Sequence, residues 1–421
     1  MQNYFSLSNG LRVVTDKINN VRSASYGIWC ALGSVYENDS EAGISHFIEH
    51  MNFKGTKSRT AKDIAFEFDN IGGQCNAFTS KERVCFYAKS LDTHILQGLD
   101  ILCDMYLNSV YNQNDIENEK NVVYEEIAMS EDYYEEVAVE RLFEEVWAEH
   151  PIGKRIIGSK DTISTFDTEK LKKYINSRIS AKNTFITVSG NFDIDEITAF
   201  LEDRLGMLNN NDIRSKIDKS IYRPNFIQTE KDSEQNHICL AFDGIENKFD
   251  DKYYALSIMN TAFGNGMSSR LFQKLREEMG LVYSVYSFPV RHESGGIFCI
   301  YAALSKENQQ LATEIILQEV QNMIKNGLEQ DELDRARQQL KAGIILGLES
   351  TSSRMMHMGK NIMTKGQVNT PSEIIERIDK IDFDMITDVL QAIFKSKLSI
   401  SAVGKNTEEL KPFFGQSEFK I

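Results

Sequence analysis

The chain contains 421 residues, which exceeds the size at which one hydrophobic core usually suffices, so two domains of roughly 200 residues each are expected. Hydrophobic residues make up 41% of the chain and charged residues 26%, a composition that is typical of soluble globular enzymes and excludes a disordered chain. With 47 basic and 62 acidic residues, the formal net charge is −15, which disfavours nucleic acid as a partner because phosphates would be repelled.

Targeting signals are not visible in the sequence. Residues 1–17 lack the basic and apolar regions of a secretory signal peptide, and no apolar stretch approaches the roughly 18 residues of a membrane-spanning helix. The six cysteines are scattered without a C-x-x-C pair, which favours reduced, buried thiols over disulfides or a sulfur-ligated metal. We therefore predict a cytoplasmic protein with no membrane partner.

Strands and amphipathic helices alternate along the first half of the chain. Asn9-Gly10 separates two alternating apolar runs and predicts a hairpin. Gly72-Gly73 closes a predicted helix, because two glycines cannot continue it without cost. The further predictions are strands at residues 23–35, 78–90 and 184–188, and helices from about residue 41, over 63–71, over 92–108 and over 116–149.

The order of elements starts again after residues 207–225, where apolar periodicity is lost. We predict domains at residues 1–210 and 226–421, joined by a linker at 211–225. CFYAKSL from Cys85 resembles CIYAALS from Cys299, and VSGN from Val188 resembles AVGKN from Ala402. These similarities, in the same order in both halves, indicate a duplicated α/β unit.

The segment from His46 to His50, HFIEH, carries the strongest chemical signal in the chain. In a helix, residues i and i+4 share a face and i+3 lies beside them, so both imidazoles can face one metal ion while Glu49 reaches a water on it. Phe47 and Ile48 then face the core. The H-x-x-E-H order is the inverted zincin signature, with histidine ligands and a glutamate base. Histidines that merely pack are disfavoured, because the motif arises by chance on the order of 0.01 times per chain.

A catalytic zinc usually has three protein ligands, so a third residue is needed. The acidic segment 119–126 supplies candidates. Glu119 and Glu126 are two helical turns apart and share a face, whereas Glu125 points about 100° away. Spacing alone leaves Glu119 and Glu126 both open, and most acidic residues in this region are expected on a solvated face.

Beyond these residues, the chain resembles the insulinase/pitrilysin-type zinc peptidases, in their short bacterial and mitochondrial-processing-peptidase-like branch. The resemblance covers essentially the whole chain and implies an α+β fold of two homologous half-domains, each a mostly antiparallel sheet with helices packed on it. Only the first half would bind a metal, one Zn²⁺ per chain, because residues 255–260 of the second half hold no counterpart of the motif. The matching blocks are GISHFIEHMNFKGT from Gly43, GGQCNAFTS from Gly72, EKNVVYEEI from Glu119, HPIGKRIIG from His150 and SRLFQKLREEMGLVYSV from Ser269.

The resemblance also implies roles for single residues of the first half. It selects Glu126 as the third zinc ligand and gives Glu119 a supporting role beside the site. Asn76 and Ala77 match an edge strand on which family members hold the substrate backbone as an added β-strand. Without the resemblance, these two residues would read as an ordinary strand after a turn.

In the second half, Arg276 and Tyr283 match a family pair whose tyrosine helps to stabilise the reacting carbonyl. By themselves they would be read as surface residues. The family plan also implies a homodimer that closes around a chamber, in which this pair would reach the zinc of the partner chain.

We therefore predict a zinc-dependent endopeptidase that hydrolyses unfolded peptides, with Glu49 as the general base. The net charge makes basic peptides plausible substrates, because an acidic chamber would concentrate them. The alternative is a non-catalytic or partner-dependent subunit of a peptidase-like assembly, and a third reading is a different metal-dependent amide hydrolase.

Overall fold

The computed structural model describes residues 2–212, 216–246, 250–365 and 368–416. The chain forms two compact units. The first comprises Met1–Ala128, Lys154–Ile217 and Gly347–Val368, and the second comprises Met129–Gly153, Asp218–Leu346 and Asn369–Ile421. The first unit therefore includes a segment from the second half of the sequence, Gly347–Val368, and the second unit includes a segment from the first half, Met129–Gly153. The domain bounds at 1–210 and 226–421, with a linker at 211–225, stay a prediction.

Eleven strands and fourteen α-helices are described. The strands are β1 (Gln2–Ser6), β2 (Arg12–Lys17), β3 (Ser23–Cys30), β4 (Gln74–Thr79), β5 (Val84–Leu91), β6 (Thr184–Gly190), β7 (Phe226–Glu230), β8 (Asn236–Asp243), β9 (Ser284–His292), β10 (Gly295–Leu304) and β11 (Ser399–Gly404). The helices are α1 (Ile44–Met51), α2 (Ala61–Asn70), α3 (Ile95–Asn108), α4 (Gln113–Ser130), α5 (Tyr134–Val146), α6 (Lys160–Ser164), α7 (Thr168–Asn176), α8 (Ile194–Leu205), α9 (Asp251–Phe263), α10 (Gln309–Asn326), α11 (Gln330–Gly347), α12 (Thr351–Lys365), α13 (Pro371–Lys380) and α14 (Phe383–Phe394).

The first unit is built on one six-stranded sheet with the order β1-β2-β6-β3-β5-β4. β2 and β6 are parallel, and the other neighbouring strands are antiparallel. The predicted hairpin at Asn9-Gly10 joins β1 to β2, and Gly10 adopts a φ of 87° that suits glycine in such a turn. β4 lies at one edge of the sheet and pairs with β5 on one side.

Both faces of this sheet are covered, because successive side chains of a strand point to opposite faces. On β3, Ile28 belongs to the core beneath the helices that include α1, α2 and α3. Its neighbour Trp29 belongs to a separate cluster with Phe185 and with Met355 and Met358 of α12. Helix α12 thus covers the face of the first sheet that is opposite to α1.

The second unit repeats this arrangement with the strand order β7-β11-β8-β10-β9. β7 and β11 are parallel and the remaining pairs are antiparallel, so these strands correspond in order and direction to β2, β6, β3, β5 and β4. Helices α9, α10, α13 and α14 contribute to the core of this unit, and α5 packs against β8 and β11. The predicted α+β fold, with two similar sheets that each carry helices, is confirmed.

Two local predictions differ from the structure. The strand predicted over 78–90 is a hairpin of β4 and β5, and the backbone N–H of Ser80 donates to the carbonyl of Arg83 at 2.8 Å. The sequence SKER between the strands contains no Gly or Pro to mark a turn. The helix predicted over 116–149 is divided into α4 and α5, and α5 belongs to the second unit. Residues Phe272–Glu278 form a π-helix. None of the described helices is long and apolar enough to cross a lipid bilayer.

A glycine allows α12 to approach the first sheet closely. A Cβ atom at Gly359 would lie 2.0 Å from Cζ2 of the buried Trp29. We expect Gly359→Ala to lower the free energy of unfolding by about 1–3 kcal/mol, because the indole has to move, even though alanine is the better helix former. Urea denaturation would measure this change.

The matched control is Gly343→Ala in α11, where a Cβ atom would meet nothing within 4 Å. This change should raise the free energy of unfolding by about 0.4–1 kcal/mol, because alanine loses less backbone entropy on folding. Equal effects of the two substitutions would contradict the steric explanation.

Candidate metal centre

Helix α1 begins at a tightly packed glycine that a buried carboxylate supports. Gly43 has a φ of 92°, and a Cβ atom there would lie 2.7 Å from the carbonyl oxygen of Ile157. The carboxylate of Glu37 accepts hydrogen bonds from the backbone N–H groups of Gly43 and Ser45, both at 2.8 Å, which satisfies free donors of the first helical turn. Burial raises the pKa of Glu37 to about 7, although these hydrogen bonds act in the opposite direction.

The apolar residues of the motif anchor α1 in the core, as the sequence predicts. Phe47 and Ile48 are fully buried, and the ring of Phe47 packs edge-on against Phe166 with a centroid distance of 5.5 Å. Helix α1 also packs against β4 and β5. Because these contacts fix the rotation of α1, the two histidines are held on one side of it, with their ring centroids 4.6 Å apart.

The structure brings His46, His50 and Glu126 together. One ligand atom from each lies within 4.8 Å of the other two. Nε2 of His46 is 3.9 Å and Nε2 of His50 is 3.6 Å from Oε2 of Glu126. Donors bound to a tetrahedral zinc at 2.0–2.2 Å lie about 3.3–3.6 Å from one another. The distance from His50 lies at the upper end of this range and the distance from His46 exceeds it slightly, so the three side chains converge on one point and would close a little further around a zinc ion.

The two imidazoles are in different electrostatic environments. Burial, followed by the neighbouring His50, lowers the pKa of His46 to about 4, so His46 is neutral at neutral pH. Burial also acts to lower the pKa of His50, but the hydrogen bond to Glu119 and the charge of Glu126 outweigh it and raise this pKa. A metal ligand must be a neutral imidazole, and His46 already is one.

Glu119 lies behind His50 rather than beside His46. It is buried, and its Oε1 is 2.9 Å from Nδ1 of His50, while its Oε2 is 2.5 Å from Nζ of Lys54. Burial acts to raise the pKa of Glu119, but the bonds from His50 and Lys54 prevail and lower it. With Nδ1–H donating to this carboxylate, the lone pair of Nε2 is available on the side of Glu126. Lys54 was not predicted from the sequence, although it follows His50 by four residues.

The carboxylate of Glu49 is held by a residue of the neighbouring strand. Oγ1 of Thr79, at the end of β4, donates a hydrogen bond to Oε2 of Glu49. Burial raises the pKa of Glu49, and the negative charge of Glu126 acts in the same direction. Thr79 was also missed, although Cys75, Ala77 and Thr79 alternate along one strand and therefore share a face.

Asn76 and Ala77 lie in the middle of β4. Asn76 is exposed, whereas Ala77 is half-buried and packs against the core on the α1 side. They pair with Tyr87 and Phe86 of β5. Both residues thus lie on an edge strand, and their role in binding substrate stays a prediction.

Arg276 and Tyr283 lie together in the second unit. Nη1 of Arg276 donates to the carbonyl oxygen of Tyr283 at 2.6 Å, and the guanidinium lies 5.7 Å from the centroid of the Tyr283 ring. The side chain of Tyr283 is 67% exposed, which is unusual for a large aromatic residue. The structure pairs these two residues with each other, and their catalytic role stays a prediction.

Comparison with known proteins shows the family of this chain. Residues 12–160 match the family model described as insulinase (peptidase family M16), and residues 165–340 match the one described as the peptidase M16 inactive domain. A Bacillus subtilis (strain 168) protein, described as the uncharacterized zinc protease YmxG, is 35% identical over 399 residues, which are 95% of this chain and 97% of that protein. The chain belongs to the insulinase family of peptidases, M16. The resemblance found in the sequence is confirmed.

Other proteins agree with this chain in length or in fold. An uncharacterized zinc protease of Rickettsia felis is 35% identical over 405 residues, covering 96% of this chain and 98% of that protein. A crystal structure described as the peptidase M16 inactive domain from Pseudomonas fluorescens superposes with a TM-score of 0.89 at 19% identity and covers 96% of this chain and 98% of that chain. A protease from Helicobacter pylori superposes with a TM-score of 0.88 at 20% identity, covering 96% and 99%. At these identities, the two structures support the fold alone.

The two matched segments contain different candidate site residues. The three candidate ligands His46, His50 and Glu126 lie within the segment that the insulinase model matches, residues 12–160. Arg276 and Tyr283 lie within the segment that matches the inactive domain, residues 165–340. Helix α9 of that segment, DKYYALSIMNTAF, contains no histidine.

Proposed function

We propose that this chain is a zinc-dependent endopeptidase that hydrolyses peptide bonds in unfolded peptides or protein segments. The observation that carries the proposal is the convergence of two imidazole nitrogens and one carboxylate oxygen within 4.8 Å. Two histidines and one carboxylate are typical of catalytic zinc sites, which keep one coordination position open, whereas structural sites use four protein ligands. The description of relatives as zinc proteases supports the same function.

The residues of the site would have different roles in the reaction. His46, His50 and Glu126 would hold the zinc ion. Zinc, when bound, supplies Lewis-acid chemistry that makes a water molecule more acidic and polarises a peptide carbonyl. Glu49 would accept the proton of the attacking water as the C–O bond forms, at the carboxylate oxygen that Thr79 leaves free. It would then deliver this proton to the amide nitrogen as the C–N bond breaks.

The edge strand supports an extended substrate. An unfolded peptide would add to the free edge of β4 at Asn76 and Ala77 through main-chain hydrogen bonds. This mode recognises the backbone more than the side chains, so it favours unfolded segments over folded ones. Thr79 of the same strand donates a hydrogen bond to the Glu49 carboxylate. The strand that would bind the peptide therefore also contacts the proposed general base.

Two residues of the second unit, and a second copy of the chain, would also take part in the reaction. The exposed hydroxyl of Tyr283 would stabilise the oxyanion that forms on the scissile carbonyl, and Arg276 would position Tyr283 through its backbone carbonyl and ring. Two chains would form a homodimer around a chamber, and the net charge of −15 would favour basic peptides there. The six free cysteines fit a reducing cytoplasm.

The test uses the purified chain of 421 residues. We expect about one zinc per chain by elemental analysis and cleavage of a mixed peptide library that a chelator abolishes and added zinc restores. Cleavage that is insensitive to the chelator would contradict the proposal. Bound zinc without cleavage by the chain alone would instead support a subunit that needs a catalytic partner. Cleavage of small amides but not of oligopeptides would indicate a different amide hydrolase.

Glu119, whose carboxylate contacts Nδ1 of His50, is expected to influence zinc affinity. We expect Glu119→Gln to weaken zinc binding by about 10- to 100-fold, because His50 and Lys54 lose their shared charged acceptor. Competition with a chromophoric chelator would measure the dissociation constant. Glu125→Gln, an exposed position on the same helix, is the control and should leave this constant unchanged. Equal dissociation constants for both variants would show that Glu119 does not support the site.

A further inference from the structure

The base of the proposed reaction is placed where it could itself bind the metal. Glu49 precedes His50 and follows His46 by three residues, and carboxylate oxygens are good zinc ligands. An ionised carboxylate is also strongly attracted by a divalent cation. If Glu49 entered the ligand set, it would occupy the open position and could no longer accept a proton.

The structure nevertheless keeps Glu49 out of the ligand cluster. Among the described residues, the group of ligand atoms within 4.8 Å of one another comprises His46, His50 and Glu126, and Glu49 does not belong to it. The hydrogen bond that the structure gives to the Glu49 carboxylate comes from Oγ1 of Thr79. This donor approaches from the strand β4 and not from the helix that carries the histidines.

Thr79 is well suited to hold a carboxylate in place. It is β-branched, so its χ1 angle is restricted, and its backbone is paired with Val84 of β5. The hydroxyl therefore cannot follow the carboxylate if Glu49 moves. A hydrogen bond to an ionised acceptor shifts the equilibrium between two positions of that acceptor by roughly 10- to 100-fold. The bond from Thr79 is therefore strong enough to decide which of two nearby positions the Glu49 carboxylate adopts.

We propose that Thr79 is a positioning residue whose hydroxyl holds Glu49 away from the metal and so keeps it available as the base. This inference rests on the proposed function, because it presupposes a zinc ion at the cluster. Loss of the Thr79 hydroxyl lowers turnover and at the same time tightens zinc binding, because Glu49 becomes free to act as an additional ligand.

The experiment replaces Thr79 by Val, which has nearly the same shape and suits a strand. We expect kcat to fall by about 10- to 100-fold with little change in KM, and the zinc dissociation constant of the purified chain, measured by chelator competition, to fall by about tenfold. Thr79→Ser retains the hydroxyl and should restore both values towards those of the wild type. Adding Glu49→Ala to Thr79→Val should abolish the gain in zinc affinity.

The matched control is Thr198→Val in α8, which removes a hydroxyl that donates to the carbonyl of Ile194 at 2.7 Å. It should change neither kcat nor zinc affinity. General structural damage by Thr79→Val would weaken zinc binding, so unchanged or weaker binding would overturn the inference. A wild-type chain that binds no zinc or cleaves no peptide would instead overturn the proposed function, so the two failures are distinguishable.

Discussion

Glu49→Gln is expected to retain zinc and to lose nearly all peptide hydrolysis. Glutamine has the same shape as glutamate, and its amide oxygen can still accept the hydrogen bond from Thr79. The amide cannot take a proton from water, however, and a positioned base contributes about 10²- to 10⁴-fold to such a reaction. We therefore expect kcat to fall at least about 100-fold. Zinc content should stay near that of the wild type, because Glu49 lies outside the cluster of ligand atoms.

Two measurements on the same preparation test this expectation. Elemental analysis gives the zinc content, and hydrolysis of a fluorogenic peptide gives kcat. Glu125→Gln is the matched control, since it makes the same chemical change at an exposed position of α4 and should preserve both values. Near-wild-type turnover of Glu49→Gln would remove Glu49 from the mechanism, and loss of zinc would make it a ligand.

His50→Ala is expected to lose the metal. The substitution removes Nε2, which lies 3.6 Å from the Glu126 oxygen, and also the group that Glu119 holds through Nδ1. Zinc bound by four protein ligands gains about 10–16 kcal/mol, so one ligand accounts for about 2.5–4 kcal/mol. The zinc dissociation constant should therefore rise by about 10²- to 10³-fold, and hydrolysis should disappear with the metal.

The control for this substitution is His94→Ala. His94 lies before α3, where its Nδ1 contacts Gln97 Oε1 at 2.8 Å, and it has no part in the cluster. Elemental analysis after dialysis should show zinc in His94→Ala and little in His50→Ala. Circular dichroism should show that both variants are folded. A folded His50→Ala protein with a full complement of zinc would exclude His50 as a ligand.

The local geometry of the motif could be predicted from the sequence. A helix places residues four apart on one face, so the positions of His46 and His50 follow from their spacing once the segment is helical. The burial of Phe47 and Ile48 follows from the same periodicity. Short-range rules of this kind also gave the hairpin at Asn9-Gly10.

The choice between two acidic residues required the tertiary structure. Glu119 and Glu126 share one face of α4, so spacing could not separate a ligand from a supporting residue. In the folded chain, the Glu126 carboxylate lies near both imidazoles, and Glu119 contacts Nδ1 of His50, 69 residues earlier in the chain. The family resemblance selected Glu126, but it did not indicate that Lys54 would hold the other oxygen of Glu119.

Two similar α/β units, and a helix in the first that carries two histidines on one face, could be inferred from the amino-acid sequence, because these features depend on periodicity and spacing along a few turns or strands. Which sheet each helix covers depends instead on long-range packing. An apolar stripe on a helix fits either of two similar sheets, and in the folded chain α5 packs on the second sheet and α12 on the first. Shape complementarity between distant residues makes that choice, as in the contact of Gly359 with Trp29.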